Sequence, residues 1–310
     1  MLTSKITAIM VTYQPNLEVL NKAVDAILPQ ITDLVIIDNG SKTDMKDWIQ
    51  SSGRKNTSII PLLSNLGIAA AQNIGIRWAK ERGSNFVLFM DQDSIPDSDM
   101  VSKLVAAYWD LTIQKQKKVS AIGPCLRNNR GYITKHECLK CRPWFGIRLS
   151  HCRPEYNAVP SDFLISSGLL IETNTLTEIG DMDESLFIDS VDTEWLLRAR
   201  SKGYQGWGHV DAKMTHLLGE YYRRIWLFRW HYLYFHKPFR YYYMFRNRII
   251  LLRRKYPCTA WKYINSIRSI KQLFLVILLH KDRFQALRMI LRGIMDGVKG
   301  VRGKALSPPS

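Results

Sequence analysis

Apolar and polar positions along the first ninety residues fall into blocks that predict strands and helices in turn. ITAIMVTY (6–13) is an apolar run closed by Gln-Pro-Asn, and NLEVLNKAVDAILPQ then sets Leu17, Leu20, Val24 and Ile27 on one helical face. LVIIDNGS reads as a second strand and polar turn. A short helix from Thr43, the strand SIIPLL, the turn SNLG and a helix from Ile68 to Arg82, stopped by Gly83, follow it. NFVLFMD is a further strong strand. Such alternation predicts an α/β fold around a parallel sheet, whose ligands gather at the carboxyl ends of the strands. Those ends are polar here: Thr12 and Tyr13, Asp38 and Asn39, Asn65, then Asp91 and Asp93.

Beyond residue 100 the pattern loosens. The Arg- and Cys-rich segment 125–158 predicts loop with short strands, and FLISSGLLI (163–171) predicts strand around the Ser166-Ser167-Gly168 step. VDTEWLLRARSKG predicts a helix from Asp192 to Lys202, with acids at its start and bases at its end. Near the C-terminus, FQALRMILRGIMDGVKGV sets Phe284, Leu287, Leu291, Ile294, Val298 and Val301 on one face of an amphipathic helix that Gly293, Gly297 and Gly300 weaken. IKQLFLVILLH is too short to span a bilayer, which takes about 20 apolar residues.

Charge divides the chain. The net charge is +17, and residues 221–310 hold 20 of the 44 Lys and Arg but 2 of the 27 acids. The expected organisation is therefore a near-neutral catalytic domain over 1–220 and a basic, aromatic, mostly helical region over 221–310 that binds membrane or mediates oligomer assembly. YYRRIWLFRWHYLYFHKPFRYYY interleaves Arg with rings, which suits an anionic membrane surface or single-stranded nucleic acid. The opening MLTSKITAIMVTYQPN lacks the features of a secretory signal, and five cysteines are an odd set in a chain that needs no disulfides, so a cytoplasmic setting is expected. Cys138, Cys141, His151 and Cys152 offer a zinc quartet, but the spacing between ligand pairs departs from that of zinc sites, and ordinary thiols are the preferred reading.

The chain carries neither GxxxxGK[ST] nor GxGxxG, so phosphates would have to be neutralised in another way. Asp91 and Asp93 in DQDS repel phosphate unaided, whereas a divalent cation set between them and a diphosphate makes a bridge. Asp189, Asp192 and Glu194 in FIDSVDTEW either complement a helix dipole or supply a general base, for which Asp192 is the choice. His209 and His216 follow, and an imidazole at His216 is a candidate third ligand for Mn²⁺ or Mg²⁺.

VTYQPN, VIIDNGS, NLGIAAAQNIG, MDQDS, FIDSVDTEW with a following TH, and YYYMFRN occur in this order over roughly residues 5–250. Together they resemble the inverting glycosyltransferases of family 2, with the GT-A fold, and among these the bacterial rhamnosyltransferases. The resemblance implies a Rossmann-like nucleotide-binding core with a mixed central sheet, and Mg²⁺ or Mn²⁺ as cofactor. It implies dTDP-L-rhamnose as donor and a lipid-linked saccharide acceptor in O-antigen or other cell-surface polysaccharide synthesis, at the inner face of the membrane. Thr12, Tyr13 and Asp38 would hold the nucleoside, and Asn65, Gly67, Asn73 and Gln92 would line the donor pocket. Asp91 and Asp93 would meet ribose and metal, with His216 as a further ligand, and Arg246 would face the diphosphate. Asp192 would be the catalytic base, with Ser167, Gly168, Glu194 and Trp195 on the acceptor side. The rivals are a nucleic-acid-binding protein and a nucleotidyltransferase that makes nucleotide sugars.

Overall fold

The computed structural model describes residues 4–127, 138–141, 147–150, 157–215, 221–227 and 229–305. The chain divides into two compact units: Met1–Lys140, Ile147–Glu184 and Val191–Leu217 in one, and Cys141–Gly146, Ser185–Ser190 and Leu218–Ser310 in the other.

The first unit is built on a mixed sheet. β1 (Ile6–Thr12), β2 (Asp33–Asp38), β3 (Thr57–Pro61) and β4 (Phe86–Asp91) run parallel in the order β3-β2-β1-β4. α1 (Leu17–Ile27), α2 (Met45–Ser52) and α3 (Ile68–Glu81) connect them. The sheet continues through β10 (Leu169–Glu172), antiparallel to β4, into β6 (Val119–Arg127), β11 (Gln205–Thr215) and the short β5 (Ile95–Pro96). β9 (Ala158–Ser161) pairs with β11, while β7 (Cys138–Cys141) and β8 (Ile147–Ser150) form a separate pair. α4 (Met100–Trp109), α5 (Thr173–Ile179) and α6 (Val191–Ser201) complete the unit's helices among the described residues. His151 and Cys152 of the cysteine-rich quartet lie outside the described residues, as do the side chains of Cys138 and Cys141.

The local causes are readable. Ala8, Ile9 and Met10 of β1 and Leu34 to Ile37 of β2 are almost wholly excluded from solvent, because parallel strands are covered on both faces and so read as unbroken apolar runs. Asn16 caps α1 by accepting from the amides of Glu18 and Val19 at 3.0 and 3.3 Å, and Asp44 caps α2 in the same way. The segment 163–171 departs from the expected strand, since only Leu169–Glu172 is extended. Gly168 adopts φ +78°, and a Cβ there would come within 2.5 Å of Pro124 Cγ, so the chain turns before it pairs.

In the second unit, β12 (Tyr221–Leu227) and β13 (Arg229–Phe235) form an antiparallel hairpin, followed by α7 (Pro238–Arg253), α8 (Thr259–Leu279) and α9 (Arg283–Lys299). Aromatic residues favour strands, which accounts for a hairpin at 221–235 where helical packing was one reading. α9 passes through Gly293 and Gly297. A Cβ at Gly293 would run into the Tyr242 carbonyl oxygen, and one at Gly297 would sit 2.8 Å from that of Arg246. Close approach to α7 thus outweighs the roughly 1 kcal/mol that each glycine costs a helix. The expected face of α9 is split: Phe284, Leu291 and Val298 are exposed, Ile294 packs against Tyr241, Phe245 and Ile290, and Val301 lies beyond the helix end. Among the described residues no helix is long and apolar enough to cross a membrane.

Candidate active site

The carboxyl ends of β1, β2 and β4 carry a run of hydrogen-bonded polar side chains. Thr12 Oγ1 donates to Asp38 Oδ1 at 3.1 Å, and Ser41 Oγ donates to the same oxygen at 2.5 Å. Asp38 and Asn39 are both buried. Asn39 Nδ2 donates to Asn65 Oδ1 at 3.2 Å while its own oxygen accepts from the Leu66 amide at 2.9 Å. Asn65 Oδ1 also takes the Gly67 amide at 2.9 Å, which fixes the turn that opens α3 at Gly67, φ +92°. Gln92, just past β4, reaches across to β1 by accepting from the Tyr13 amide at 2.8 Å. Tyr13 itself is half exposed at this rim. Gln14, the next residue, takes a left-handed φ of 47° with its amide on Ser41 Oγ at 2.9 Å.

The same chain of contacts continues to Asp192. Ser167 Oγ accepts from the Asp91 amide at 3.2 Å and donates to Ser94 Oγ at 2.8 Å, and the Gly168 amide donates to Phe89 O at 2.8 Å. One residue earlier, the Ser166 amide donates to Asp192 Oδ2 at 3.2 Å, and Asp192 Oδ1 accepts from Thr193 N at 2.6 Å. Thr12, Tyr13, Asp38, Asn65, Gly67, Asp91, Gln92 and Asp192 are therefore brought to one edge of the sheet, with Asp93 in the turn after β4. A separate cleft of about 990 Å³, lined by Ile6, Phe86, Val101, Val105, Trp109 and Ile113, lies at the amino ends of β1 and β4, away from this edge.

Other expected site residues have different partners. Asn73 is buried in α3, where it donates to Met182 O and Glu184 Oε1 at 3.0 and 2.8 Å and accepts from Met182 N at 2.9 Å; it ties the 182–184 segment down rather than lining a donor pocket. Glu194, 1% exposed, is held by both Nε and Nη2 of Arg198, and Trp195, 0% exposed, donates to Gly180 O at 2.8 Å. Neither is open to an acceptor, because α6 is buried all round from Glu194 to Leu197. Ser167 and Gly168 are buried beside β4, where Ser167 Oγ holds the Asp91 amide and the Gly168 amide holds Phe89 O, so neither is open to an acceptor. Arg246 is fully buried in the second unit: Nε is on Asn247 Oδ1, Nη1 on Gly303 O and Nη2 on Leu186 O, and the guanidinium lies over the rings of Tyr242 and Tyr243. With each of its three nitrogens already donating within the protein and no surface exposed, it offers no fork to a diphosphate. His216 lies outside the described residues.

Sequence reasoning assigned no role to Ser41, Ser94 or Asn247. Asn247 Nδ2 lies 3.0, 2.8 and 2.8 Å from the carbonyls of Leu186, Ile188 and Asp189. In this loop Phe187, Asp189 and Ser190 all have φ near +65°, a strained region for side chains other than glycine, and Arg240 pairs with Asp189 at 2.6 Å. The YYYMFRN motif was the available signal for Asn247, but nothing in the sequence says which segment it holds.

Among the described residues no three His, Cys, Asp or Glu side chains converge as a metal cage. Asp91 and Asp93 nevertheless suit a hard divalent cation: two carboxylates from one strand end leave the rest of an octahedral shell to water and substrate phosphates, the usual manner of Mg²⁺ binding.

A glycosyl transferase family 2 model matches residues 7–112, which span β1 to the end of α4. The dTDP-rhamnosyl transferase RfbF of Shigella flexneri is 30% identical over 97% of this chain and 98% of its own length. The chain belongs to glycosyltransferase family 2. Family 2 membership makes it a glycosyltransferase, in preference to a nucleic-acid-binding protein or a nucleotidyltransferase. The GT-A fold is shared with S. aureus TarS 1–349 in complex with UDP-GlcNAc, at 14% identity and a TM-score of 0.60 over 96% of this chain and 81% of that one. It is shared too with GalNAc-T7 bound to UDP, GalNAc and Mn²⁺, at 14% identity and a TM-score of 0.54 over 69% of this chain and 44% of that one.

Proposed function

We propose that this glycosyltransferase moves L-rhamnose from dTDP-L-rhamnose onto the hydroxyl of a lipid-linked saccharide, with inversion, in the synthesis of a cell-surface polysaccharide such as O-antigen. The near full-length similarity to a dTDP-rhamnosyl transferase supports the donor, and the tether between Ser166 and Asp192 supports the catalytic assignment. Thr12, Tyr13 and Asp38 bind the nucleoside, Tyr13 through its exposed ring and Asp38 through a carboxylate already oriented by two hydroxyls. Asn65 and Gly67 shape the wall beside it, and Gln92 keeps the ends of β1 and β4 together.

Asp192 takes the proton of the acceptor hydroxyl as that oxygen forms its bond to the anomeric carbon. The bond from the anomeric carbon to the diphosphate oxygen breaks with its electron pair, so a β-linked donor gives an α-rhamnoside and dTDP leaves. Asp91 and Asp93 would hold Mg²⁺ or Mn²⁺, whose charge neutralises the departing diphosphate when bound. A cytoplasmic enzyme working at the inner face of the membrane suits a lipid-linked acceptor.

A donor panel tests this reading. The full chain with Mn²⁺, a lipid-linked acceptor and either dTDP-L-rhamnose, dTDP-glucose or UDP-glucose should release nucleoside diphosphate fastest from the first. Preference for a UDP-sugar would overturn the rhamnosyl assignment.

A further inference from the structure

We propose that the outer face of α8 docks on an anionic phospholipid bilayer. Tyr263, Ile267, Ile270, Phe274, Ile277 and Leu278 are 37–68% exposed and recur at helical spacing along the side of α8 that faces solvent. Its opposite side buries Trp261, Ile264, Asn265 and Val276. A helix packed on a protein core ordinarily turns a polar face outward, so a second apolar stripe running about 22 Å, at 1.5 Å per residue, is more than scattered surface hydrophobicity. α9 adds exposed Phe284 and Leu291 in the same unit.

Charge selects the occupant. Residues 259–305 hold ten Lys and Arg against Asp282 and Asp296, and Asp296 is taken up by Tyr242 and Arg292. Lys271 and Lys281 are exposed at and beyond the apolar stripe. A second copy meeting this face across a two-fold axis would bring like charges together. Nucleic acid would satisfy the bases but leave the apolar stripe in water. An anionic bilayer accepts both, with the apolar side chains at the acyl boundary, the Lys and Arg on lipid phosphates and the Tyr263 ring at headgroup level. The helix lies along the surface, since it is not apolar enough to cross it.

The proposal goes beyond the transfer reaction and holds whichever sugar is moved. The test is co-sedimentation of the full chain with phosphatidylcholine vesicles, with and without phosphatidylglycerol. The wild type should pellet with the anionic vesicles, less so at high salt, and the Ile270→Glu/Phe274→Glu variant should bind at least about tenfold more weakly, having exchanged two apolar anchors for charges that the lipid repels. Both positions are exposed, and an unchanged melting temperature together with unchanged affinity for dTDP shows that the variant is folded. Failure of the wild type to bind anionic vesicles overturns the proposal. So does vesicle binding that survives the substitution, and so does light scattering that shows a dimer which the variant splits, since that assigns the face to a second copy.

Discussion

The Ser166 amide donates to Asp192 Oδ2 across 3.2 Å, fastening the carboxylate in the first turn of α6 to the segment that leads into β10. With Oδ1 taking Thr193 N at 2.6 Å and Thr193 Oγ1 at 3.4 Å, both carboxylate oxygens are held in place by donors from two segments of the chain. Asp192→Asn retains size and can keep the Ser166 contact at the expense of the one to Thr193 N, but it cannot take the proton of the acceptor hydroxyl. Turnover should fall about 10²- to 10⁴-fold with little change in KM for the donor. Initial rates over a range of donor concentrations check this; a raised KM at unchanged kcat would move Asp192 out of the base role.

Asp93→Ala should weaken nucleoside diphosphate binding only when divalent metal is present. Without metal, removing a carboxylate near a phosphate cannot weaken the contact, because like charges repel. Calorimetric titration of dTDP with and without Mn²⁺ separates the two cases, and equal affinity of wild type and variant in Mn²⁺ counts against metal binding at Asp93.

Asn247→Ala should lower stability on the order of 2 kcal/mol, since it removes a buried donor from Ile188 O and Asp189 O, whereas Leu186 O keeps Arg246 Nη2. Arg246→Lys should also destabilise, because Lys cannot reproduce three directional contacts and stacking on Tyr243. Donor affinity should survive in Arg246→Lys. Denaturant titration measures the first effect and calorimetry the second; loss of dTDP affinity without loss of stability would return Arg246 to the diphosphate.

His209 gives the first unit a pH dependence. Burial lowers its pKa from the ordinary 6.5, with Asp211 opposing, and Nδ1 accepts from the amides of Asp211 and Ala212 at 3.2 and 3.0 Å where β11 shifts register. The folded chain then binds fewer protons than the unfolded chain below the ordinary value. Stability from this group is full above pH 6.5 and is lost as the pH falls from there through the depressed folded value. His209→Asn keeps an acceptor without titrating. Denaturation midpoints at pH 7 and pH 5 should differ more for wild type than for the variant.

Much of the first unit was legible because parallel strands buried on both faces leave unbroken apolar runs with polar ends, and Thr12, Asp38 and Asp91 stand at those ends. Helix starts were legible to within a residue or two where a cap or an acidic first turn marks them, as at Asn16 and Asp192. Burial along α6 was not. Asp192, Glu194 and Trp195 are near neighbours in sequence, yet only the first is tied to the site, because α6 enters the core after its first turn begins and is buried all round from Glu194 to Leu197. Arg246 misled for a similar reason: a cationic residue in a basic tail suggests an anion, while burial gives it carbonyl oxygens. Gly168 was readable as a small-residue step, but the Pro124 contact that demands it is 44 positions away in the chain.

The two glycines of α9 have a reach longer than their size. With no side chain at Gly293 or Gly297, one helix backbone rests on the other at Tyr242 and Arg246. A single methyl group at either position would act as a wedge, lifting α7 and with it the Asn247 side chain that grips residues 186–189. Damage to a strained loop near the middle of the chain can thus originate about a hundred residues downstream, at positions that carry no chemistry at all.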